Sequence, residues 1–480
     1  MNIAPYILGT VIALNVLLAL AIIFLERRDA SATWAWLMVL LFLPIAGFIL
    51  YLIFGRRLSH KEIFTWDKKS RLGLLTAVQD QLRGIKENTL EVQHQDIVPY
   101  EDLIYMHLKN NDALFTQDNE VEVYTDGQKK FHALIEDIEN AEDHIHLLYY
   151  IVRDDQLGNR LAETLIKKAK QEVQVKLLYD DMGSRTIHRK FVKKLKAAGV
   201  EVESFFPPLI PKLNMKINYR NHRKLAIIDG KIGYIGGFNI GDEYLGYSQR
   251  FGYWRDTHIR VVGSAVHNMQ TRFILDWNQA SRQDIVYEER FYQAEGSGDV
   301  GMQIVSSGPD SEWEQIKNGY IKMILSAKEY VYIQTPYFIP DDSLLDALRI
   351  AILSGVDVRL MVPNKPDHPF VYWATFSNIG DLLKAGATIY IYQKGFLHAK
   401  TLVVDGVISS VGTANIDVRS FRLNFEVNAF VYDSVVAKHL ADRFHEDVVE
   451  STELTYKLYQ ERSKWIRFKE AIARLLSPIL

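Results

Sequence analysis

The longest stretches with almost no polar positions lie at the start of the chain. Residues 6–25 and 34–54 are almost unbroken apolar runs, and a short charged loop separates them. Each run has about the length of roughly 20 residues that a helix needs to cross a bilayer. A cleaved signal peptide would instead show a basic residue before the run and a small-residue cleavage site after it. We therefore expect residues 1–56 to form two transmembrane helices that anchor the chain.

The charges that flank these runs predict the orientation of the anchor. Cytoplasmic loops of membrane proteins carry an excess of lysine and arginine. The part of the chain after the anchor should therefore lie in the cytoplasm. The basic residues after the second run are Arg56, Arg57, Lys61, Lys68, Lys69 and Arg71, whereas the loop between the runs has Arg27 and Arg28 beside two acids.

Beyond the anchor the pattern alternates between strands and helices, and it does so twice. Residues 146–155 and 332–342 are apolar, strand-like runs that end in an aspartate pair, and a helical stretch follows each. Runs rich in β-branched residues come next, at 173–179 and 356–362. This is the βαβ alternation of a mostly parallel sheet. We expect an α/β fold with two tandem halves whose sheets pack around a shared site.

These patterns also predict the domain boundaries. A charged, partly helical connector precedes the repeats, and a basic amphipathic helix follows them. That last helix would either lie in a membrane interface or pack on its own domain. The expected parts are the connector at 57–112, the first half at 113–295, the second half at 296–450 and the helix at 451–480.

A third matching pair of segments carries polar residues at identical offsets. The first copy has His222, Lys224 and Asp229, then a glycine, and later Asn239. Repeats kept for packing alone would preserve the apolar pattern but not five polar or special residues. The corresponding residues of the second copy are His398, Lys400, Asp405 and Asn415.

Strand geometry predicts different places for these side chains. Side chains two residues apart share a face of a strand, so each histidine should project together with its lysine. Asp229 and Asp405 have the opposite parity and directly precede a glycine, so we interpret them as supports of the site's architecture. Asn239 and Asn415 follow small residues, where the backbone can come close to a ligand.

The composition narrows the chemistry. The chain has no cysteine, which excludes disulfides, thiolate metal sites and a cysteine nucleophile. Its formal net charge of -3 gives no overall basic field of the kind that favours nucleic-acid binding. Histidine chemistry remains open to this chain. If the two halves face each other, one histidine can attack a phosphodiester and the other can protonate the departing alkoxide. The lysines and asparagines would hold the non-bridging oxygens, so we expect neither a metal nor a cofactor.

A nucleophilic imidazole works best when a carboxylate fixes its other nitrogen. Asp256 and Glu426 lie at similar distances downstream of the two histidines. We predict that these two carboxylates orient the histidines. The alternative is that they are surface or ion-pair carboxylates.

The doubled H-x-K-x-x-x-x-D motif resembles the signature of the phospholipase D superfamily, and the resemblance covers residues 114–448. It implies two sheet-centred α/β halves with the site at their interface, and a phosphohistidine that forms on His222. The small pair differs between the copies, Gly236-Gly237 against Gly412-Thr413, so a hydroxyl contact is expected in the second half alone. Together with two short apolar N-terminal runs, the motifs resemble bacterial cardiolipin synthases, which join two phosphatidylglycerols and release glycerol.

The predicted anchor favours a lipid substrate. An enzyme held at the bilayer meets phospholipid at high local concentration, whereas a nuclease would gain little from that placement. We therefore expect phosphatidylglycerol and membrane lipid as partners, no nucleic acid, and a bacterial cell membrane as location. A phospholipase D hydrolase, a tethered nuclease and a non-catalytic lipid-binding scaffold are the alternatives. The apolar segment at 205–211 is either a lip through which lipid enters or a buried loop.

Overall fold

The computed structural model describes residues 4–25, 30–51, 63–64, 68–207, 218–283, 285, 287–296, 298–365, 367 and 369–476. These residues belong to two compact units. One unit comprises residues 1–59 and 206–219, and the other comprises residues 60–205 and 220–480.

The described residues of the first unit include three helices, α1 (Ala4–Leu25), α2 (Ala30–Phe42) and α3 (Pro44–Leu50). The side chain of Asn15 donates a hydrogen bond to the carbonyl of Leu40 (3.2 Å), which satisfies a polar group inside the first apolar run. The second run is divided at Pro44, because proline has no amide hydrogen to continue the helix. Among the described residues, no helix is both long and apolar enough to cross a membrane. The two spans therefore stay a prediction.

The connector belongs to the core of the second unit. It contains α4 (Lys68–Lys86) and α5 (Glu101–Asn111). Leu82 and Leu108 are buried in the same apolar cluster as Ile316 of the second half. The apolar side chains at helical spacing in this segment therefore pack against the second half.

The first half is a seven-stranded sheet with helices. Its strands lie in the order β4-β3-β2-β6-β7-β8-β1, parallel from β2 to β4 and antiparallel elsewhere. The elements are β1 (Thr116–Asp126), α6 (Gly127–Asn140), β2 (His144–Tyr149), α7 (Gln156–Ala169), β3 (Gln174–Asp180), α8 (Arg189–Ala197), β4 (Glu201–Phe205), β5 (Arg220–Asn221), β6 (Leu225–Ile228), β7 (Ile232–Gly236), β8 (Tyr253–Val262) and α9 (Ala265–Ser281).

The second half repeats this topology. Its strands lie in the order β13-β12-β10-β15-β16-β18-β9. The elements are β9 (Val300–Ser307), α10 (Gln315–Ser326), β10 (Tyr330–Gln334), β11 (Phe338–Ile339), α11 (Asp342–Leu353), β12 (Asp357–Pro363), α12 (Pro369–Ala385), β13 (Thr388–Tyr392), β14 (Gly395–Leu397), β15 (Thr401–Val404), β16 (Ile408–Gly412), β17 (Ile416–Asp417), α13 (Val418–Arg422), β18 (Asn424–Tyr432) and α14 (Ser434–Val449).

The two orders correspond strand for strand, so the predicted tandem α/β halves are confirmed. The repeated aspartate pairs have a structural role, because Asp155 and Asp341 cap α7 and α11. Each carboxylate accepts a hydrogen bond from a backbone amide of the first helical turn at 3.1 Å. β1 pairs with both β8 and β9 and so links the two sheets.

Residues 451–476 form three elements rather than one helix. They are β19 (Ser451–Glu453), α15 (Tyr456–Gln460) and α16 (Lys464–Leu476). β19 pairs with β13 and extends the edge of the second sheet. The predicted amphipathic stretch corresponds to α16 alone, because the residues before it form an edge strand of the sheet and a separate short helix.

Candidate active site

Two short strands cross between the halves and carry the histidines. β5 of the first half pairs in parallel with β18 of the second, and β14 of the second half pairs in parallel with β8 of the first. The backbone amide of His222 donates to the carbonyl of Phe425 (2.9 Å), and that of His398 donates to the carbonyl of Arg255 (2.7 Å). Each histidine is therefore held against the opposite half.

The strand periodicity predicted that both histidines lie within regular strands, and this prediction is wrong. Residues 222–224 lie between β5 and β6, and residues 398–400 lie between β14 and β15. The reason is that the strands on either side belong to different pairings, β5 with β18 and β6 with β2 and β7. The backbone has to bend where it passes from one pairing to the next.

Each histidine contacts a buried carboxylate of the other half. Nδ1 of His222 lies 2.9 Å from both carboxylate oxygens of Glu426, and Nδ1 of His398 lies 2.6 Å from Oδ2 of Asp256. Both carboxylates are fully buried. An Nδ1–H that donates to a carboxylate leaves Nε2 with its lone pair available. The two nominated carboxylates therefore contact the histidines, but crosswise between halves.

The cationic surroundings keep these carboxylates ionised. Burial by itself would raise the pKa of Glu426, but His222, Lys224 and the hydroxyl of Thr413 outweigh it and lower that pKa. Burial opposes ionisation of Asp256 in the same way, and Lys400 and His398 reverse the effect and lower its pKa. Both groups are therefore negative at neutral pH.

The lysines lie behind the histidines. Nζ of Lys224 donates to the carbonyl of His222 (2.7 Å), and Nζ of Lys400 lies 2.8 Å from Nδ1 of His398. Burial lowers the pKa of Lys224 to about 7 and that of Lys400 to about 8. Both ammonium groups are therefore poised to gain or lose a proton near neutral pH.

The histidines share one electrostatic environment. Burial lowers the pKa of His222, and the charges of Lys224 and Lys400 lower it further. Burial and the charge of Lys400 lower the pKa of His398 to about 4, and Lys224 contributes to this from the other half. The structure therefore brings both motifs into a single buried site.

Asp229 and Asp405 serve the hairpins and not the histidines. Each accepts hydrogen bonds from three successive backbone amides at 2.8–2.9 Å, at residues 142–144 and 328–330 respectively. Both residues have a positive φ, 53° and 52°, as the tight turn requires. Asp229 is seven positions after His222 in the chain and lies beyond the far end of β6. These contacts agree with the supporting position that the strand parity indicates.

The two asparagines differ. Oδ1 of Asn239 accepts from the amide of Ile151 (3.0 Å), and its Nδ2 donates to the hydroxyl of Tyr244 (3.3 Å). Oδ1 of Asn415 is buried and has no hydrogen-bond partner among the described residues. Asn239 is thus engaged with its own half, whereas the carbonyl oxygen of Asn415 retains an unused acceptor.

The small pair also differs between the halves in its contacts. Thr413 donates its hydroxyl to Oε2 of Glu426 (2.6 Å), which is the hydroxyl contact expected in the second half. In the first half a Cβ on Gly237 would lie 1.9 Å from Oδ1 of Asp256, so this position accepts no side chain. The shorter side chain, Asp256, therefore packs against Gly237, and the longer one, Glu426, contacts Thr413.

Two buried arginines escaped the sequence analysis. Arg223 pairs with Asp276 (2.7 and 3.0 Å) and donates to the carbonyl of Glu426 (3.1 Å). Arg255 pairs with Asp447 (2.8 Å) and donates to the carbonyl of Asp256 (2.6 Å). Arg223 directly follows His222 and Arg255 directly precedes Asp256, and this adjacency could have indicated a role at the site. The motif does not indicate which groups each side chain contacts.

The apolar segment at 205–211 lies only partly within the described residues. Phe205 is fully buried, and its ring contacts that of Phe425 with 5.4 Å between centroids. Residues 208–211 lie outside the described residues. The start of the segment is therefore core, and its role in lipid entry stays a prediction.

A doubled sheet whose interface holds two histidines and two lysines defines a phospholipase D-like protein. Residues 134–265 and 320–448 match the family described as cardiolipin synthase, PLD-like domain, and residues 13–56 match a phospholipase D-nuclease N-terminal family. The chain is 64% identical to a cardiolipin synthase of Oceanobacillus iheyensis, 60% to the major cardiolipin synthase ClsA of Bacillus subtilis and 58% to a cardiolipin synthase of Listeria monocytogenes. Each match covers both chains completely.

A solved structure shows the same fold. The crystal structure of phosphatidylserine synthase from Haemophilus influenzae matches with a TM-score of 0.59 at 14% identity, over 79% of this chain and all of the other. The identities over full length decide the family. The chain belongs to the cardiolipin synthase family, and the resemblance seen in its motifs is confirmed.

Proposed function

We propose that this chain is a cardiolipin synthase that transfers a phosphatidyl group from one phosphatidylglycerol to another through a phosphohistidine. The observation that carries this proposal is the pair of buried histidines, each of which contacts a carboxylate of the opposite half through Nδ1. That contact leaves two Nε2 atoms for chemistry at one phosphorus, one for attack and one for proton transfer.

In the first step Nε2 of His222 attacks the phosphorus of phosphatidylglycerol. His398 enters this step protonated on both ring nitrogens, a form that the bound anionic phosphodiester favours against the lowered pKa of the free site. The bond between phosphorus and the headgroup glycerol oxygen breaks, and His398 donates its Nε2 proton to that oxygen. Glycerol leaves, and the phosphatidyl group stays on His222. Glu426 stabilises the positive charge that develops on the imidazole. The choice of His222 over His398 rests on likeness to the superfamily.

In the second step the glycerol hydroxyl of another phosphatidylglycerol attacks the same phosphorus. His398 takes the hydroxyl proton, the nitrogen–phosphorus bond breaks, and His222 regains its lone pair. The product is cardiolipin, and both histidines return to their first protonation states. Lys224 and Lys400 would hold the non-bridging oxygens through both steps. An anionic phosphodiester beside the lysines would also raise their lowered pKa values.

We also propose that residues 1–56 hold the enzyme in the cell membrane with the catalytic unit in the cytoplasm. The support is the length and apolarity of the two runs and the basic residues after the second one. A reporter fused at the C-terminus should behave as cytoplasmic, and one inserted between Arg28 and Trp34 as external. The opposite pattern would overturn this topology.

The reaction is tested with purified protein and phosphatidylglycerol that is labelled separately in its phosphatidyl part and in its headgroup. We expect labelled cardiolipin and free glycerol in equal amounts, with little phosphatidic acid. Excess glycerol added to cardiolipin should regenerate phosphatidylglycerol, because the bonds broken and formed are of the same kind. Phosphatidic acid as main product would identify a hydrolase, and metal-independent cleavage of plasmid DNA with intact lipid would identify a nuclease.

A further inference from the structure

Helix α16 is docked on the second half by one face. Ala473 is fully buried and packs in one cluster with Ala374 of α12 and Ile339 of β11. On the same side of the helix, the buried Glu470 accepts a hydrogen bond from Arg462 (2.8 Å). The packing of this helix on its own domain, which the sequence left open, is therefore observed.

The helix carries a second apolar stripe that this packing does not use. Trp465, Phe468, Ile472 and Leu475 are 62%, 54%, 40% and 77% exposed. Their spacing of three, four and three residues puts them along one face of a helix. At about 100° per residue this face points roughly 120° away from Ala473. The rings of Trp465 and Phe468 stack with 5.5 Å between centroids, so these two side chains form one continuous aromatic surface within the stripe.

Basic residues flank the stripe on both sides. Lys464, Arg467 and Arg474 follow it on one side, and Lys469 follows on the other. Nζ of Lys469 lies 5.4 Å from the ring centre of Trp465. The acid within the helix, Glu470, is buried on the docked face. The exposed surface of α16 is thus apolar along its middle and cationic along its edges.

We propose that α16 lies in the headgroup layer of a bilayer that contains acidic phospholipid. An apolar stripe between rows of lysine and arginine fits the boundary between acyl chains and anionic headgroups. Two copies of the helix paired through this stripe would instead bring like charges together. The proposal depends on the proposed function only for the choice of phosphatidylglycerol as the acidic lipid.

A series of packed elements connects α16 to the second motif within the same unit. α16 packs on α12 and β11, β11 pairs with β17, and β17 begins one residue after Asn415. A helix fixed in the headgroup layer would therefore hold the second motif near the lipid surface. This is a placement that two N-terminal spans alone would not determine.

The absence of cysteine in the whole chain allows a direct test by site-directed spin labelling. The full chain with Phe468→Cys or Leu475→Cys is labelled and reconstituted into vesicles of phosphatidylglycerol and phosphatidylcholine mixed, or of phosphatidylcholine alone. Arg467→Cys, on the charged side of the same helix, is the matched control, and Lys167→Cys, at an exposed position of α7, reports ordinary water contact. Collisions with oxygen and with a water-soluble nickel chelate measure lipid and water exposure.

For the labels at 468 and 475, we expect the ratio of oxygen to nickel accessibility to be at least fivefold higher in vesicles with phosphatidylglycerol than in phosphatidylcholine alone. The labels at 467 and 167 should stay accessible to nickel in both. Nickel access at 468 equal to that at 467 in acidic vesicles would overturn the proposal. Dipolar broadening between labels at 468 would also overturn it, in favour of a second copy of the chain. Because the readout needs no turnover, its failure is distinguishable from failure of the proposed reaction.

Discussion

The crossed contact between His222 and Glu426 gives the sharpest test of the site, through the substitution Glu426→Gln. Glutamine keeps the shape of the side chain and removes its charge. Nδ1 of His222 lies 2.9 Å from both carboxylate oxygens, and both groups are buried. The variant should therefore affect the charge that appears on the imidazole during attack rather than the packing of the interface.

The magnitude follows from Coulomb's law. Charges about 4 Å apart interact with about 4 kcal/mol at an effective dielectric constant of about 20. If about half of the imidazolium charge has developed in the transition state, the loss is about 2 kcal/mol, or about 30-fold in kcat. The amide of glutamine can also donate to Nδ1 and move the ring proton to Nε2, the atom that must attack. Loss of the reactive tautomer has cost about 10⁴-fold in a related arrangement, so we expect a decrease between these limits.

The assay is turnover of labelled phosphatidylglycerol in mixed micelles, together with the ¹⁵N chemical shifts of the His222 ring. Glu426→Gln should change the tautomer of His222, and Asp256→Asn should change that of His398 instead. Thr413→Val is the matched control, because it removes a hydrogen bond to Glu426 and leaves the charge. Retention of more than a third of wild-type kcat in Glu426→Gln, or a change at His222 caused by Asp256→Asn alone, would refute the crossed assignment.

Four further outcomes are expected. His222→Ala and His398→Ala should each abolish turnover, and thermal unfolding should stay cooperative at a lowered midpoint because each variant leaves a buried carboxylate without its imidazole. The ratio kcat/KM should fall in two stages as pH rises, first past about 4 as His398 of the free enzyme loses its Nε2 proton, and again past about 7 as Lys224 loses its proton; Lys224→Arg should move only the second decrease upward. Chelators should leave the rate largely unchanged, and a loss that added metal reverses would contradict this. Arg223→Ala should destabilise the protein by about 3–5 kcal/mol in denaturant titrations, against less than about 1 kcal/mol for the exposed Arg443→Ala.

The sequence allowed the doubled architecture to be predicted because both halves keep the same period and the same polar offsets. Helix caps such as Asp155 and Asp341, and the positions of Asp229 and Asp405 in tight turns, follow from local rules that act within a few residues. These features depend on backbone geometry near the residue itself. They could therefore be placed without knowledge of the tertiary contacts. The hydrogen bonds of Asp229 and Asp405 to the amides at 142–144 and 328–330 are tertiary contacts and do not follow from these local rules.

The contacts that define the site depend on a crossing that no local rule predicts. Whether Glu426 faces His222 or His398 depends on the pairing of β5 with β18, which joins residues about two hundred positions apart. The arginines were missed for the same reason. Arg223 follows His222 in the chain, but its guanidinium group reaches a carbonyl of the other half. Periodicity indicates that such a residue is buried or exposed, and not which carbonyl it will reach.

The crossing also gives a physical reason for two complete motifs in one chain. A single half would present a histidine without its carboxylate and a buried carboxylate without its histidine, and such an unpaired buried charge is costly. Joining the halves satisfies both pairs at once, so the site and the interface form together. The pairs need not remain identical once they are joined. Glycine under Asp256 and threonine under Glu426 give the two imidazoles different surroundings, and the proposed mechanism gives them different roles, one as nucleophile and the other as acid.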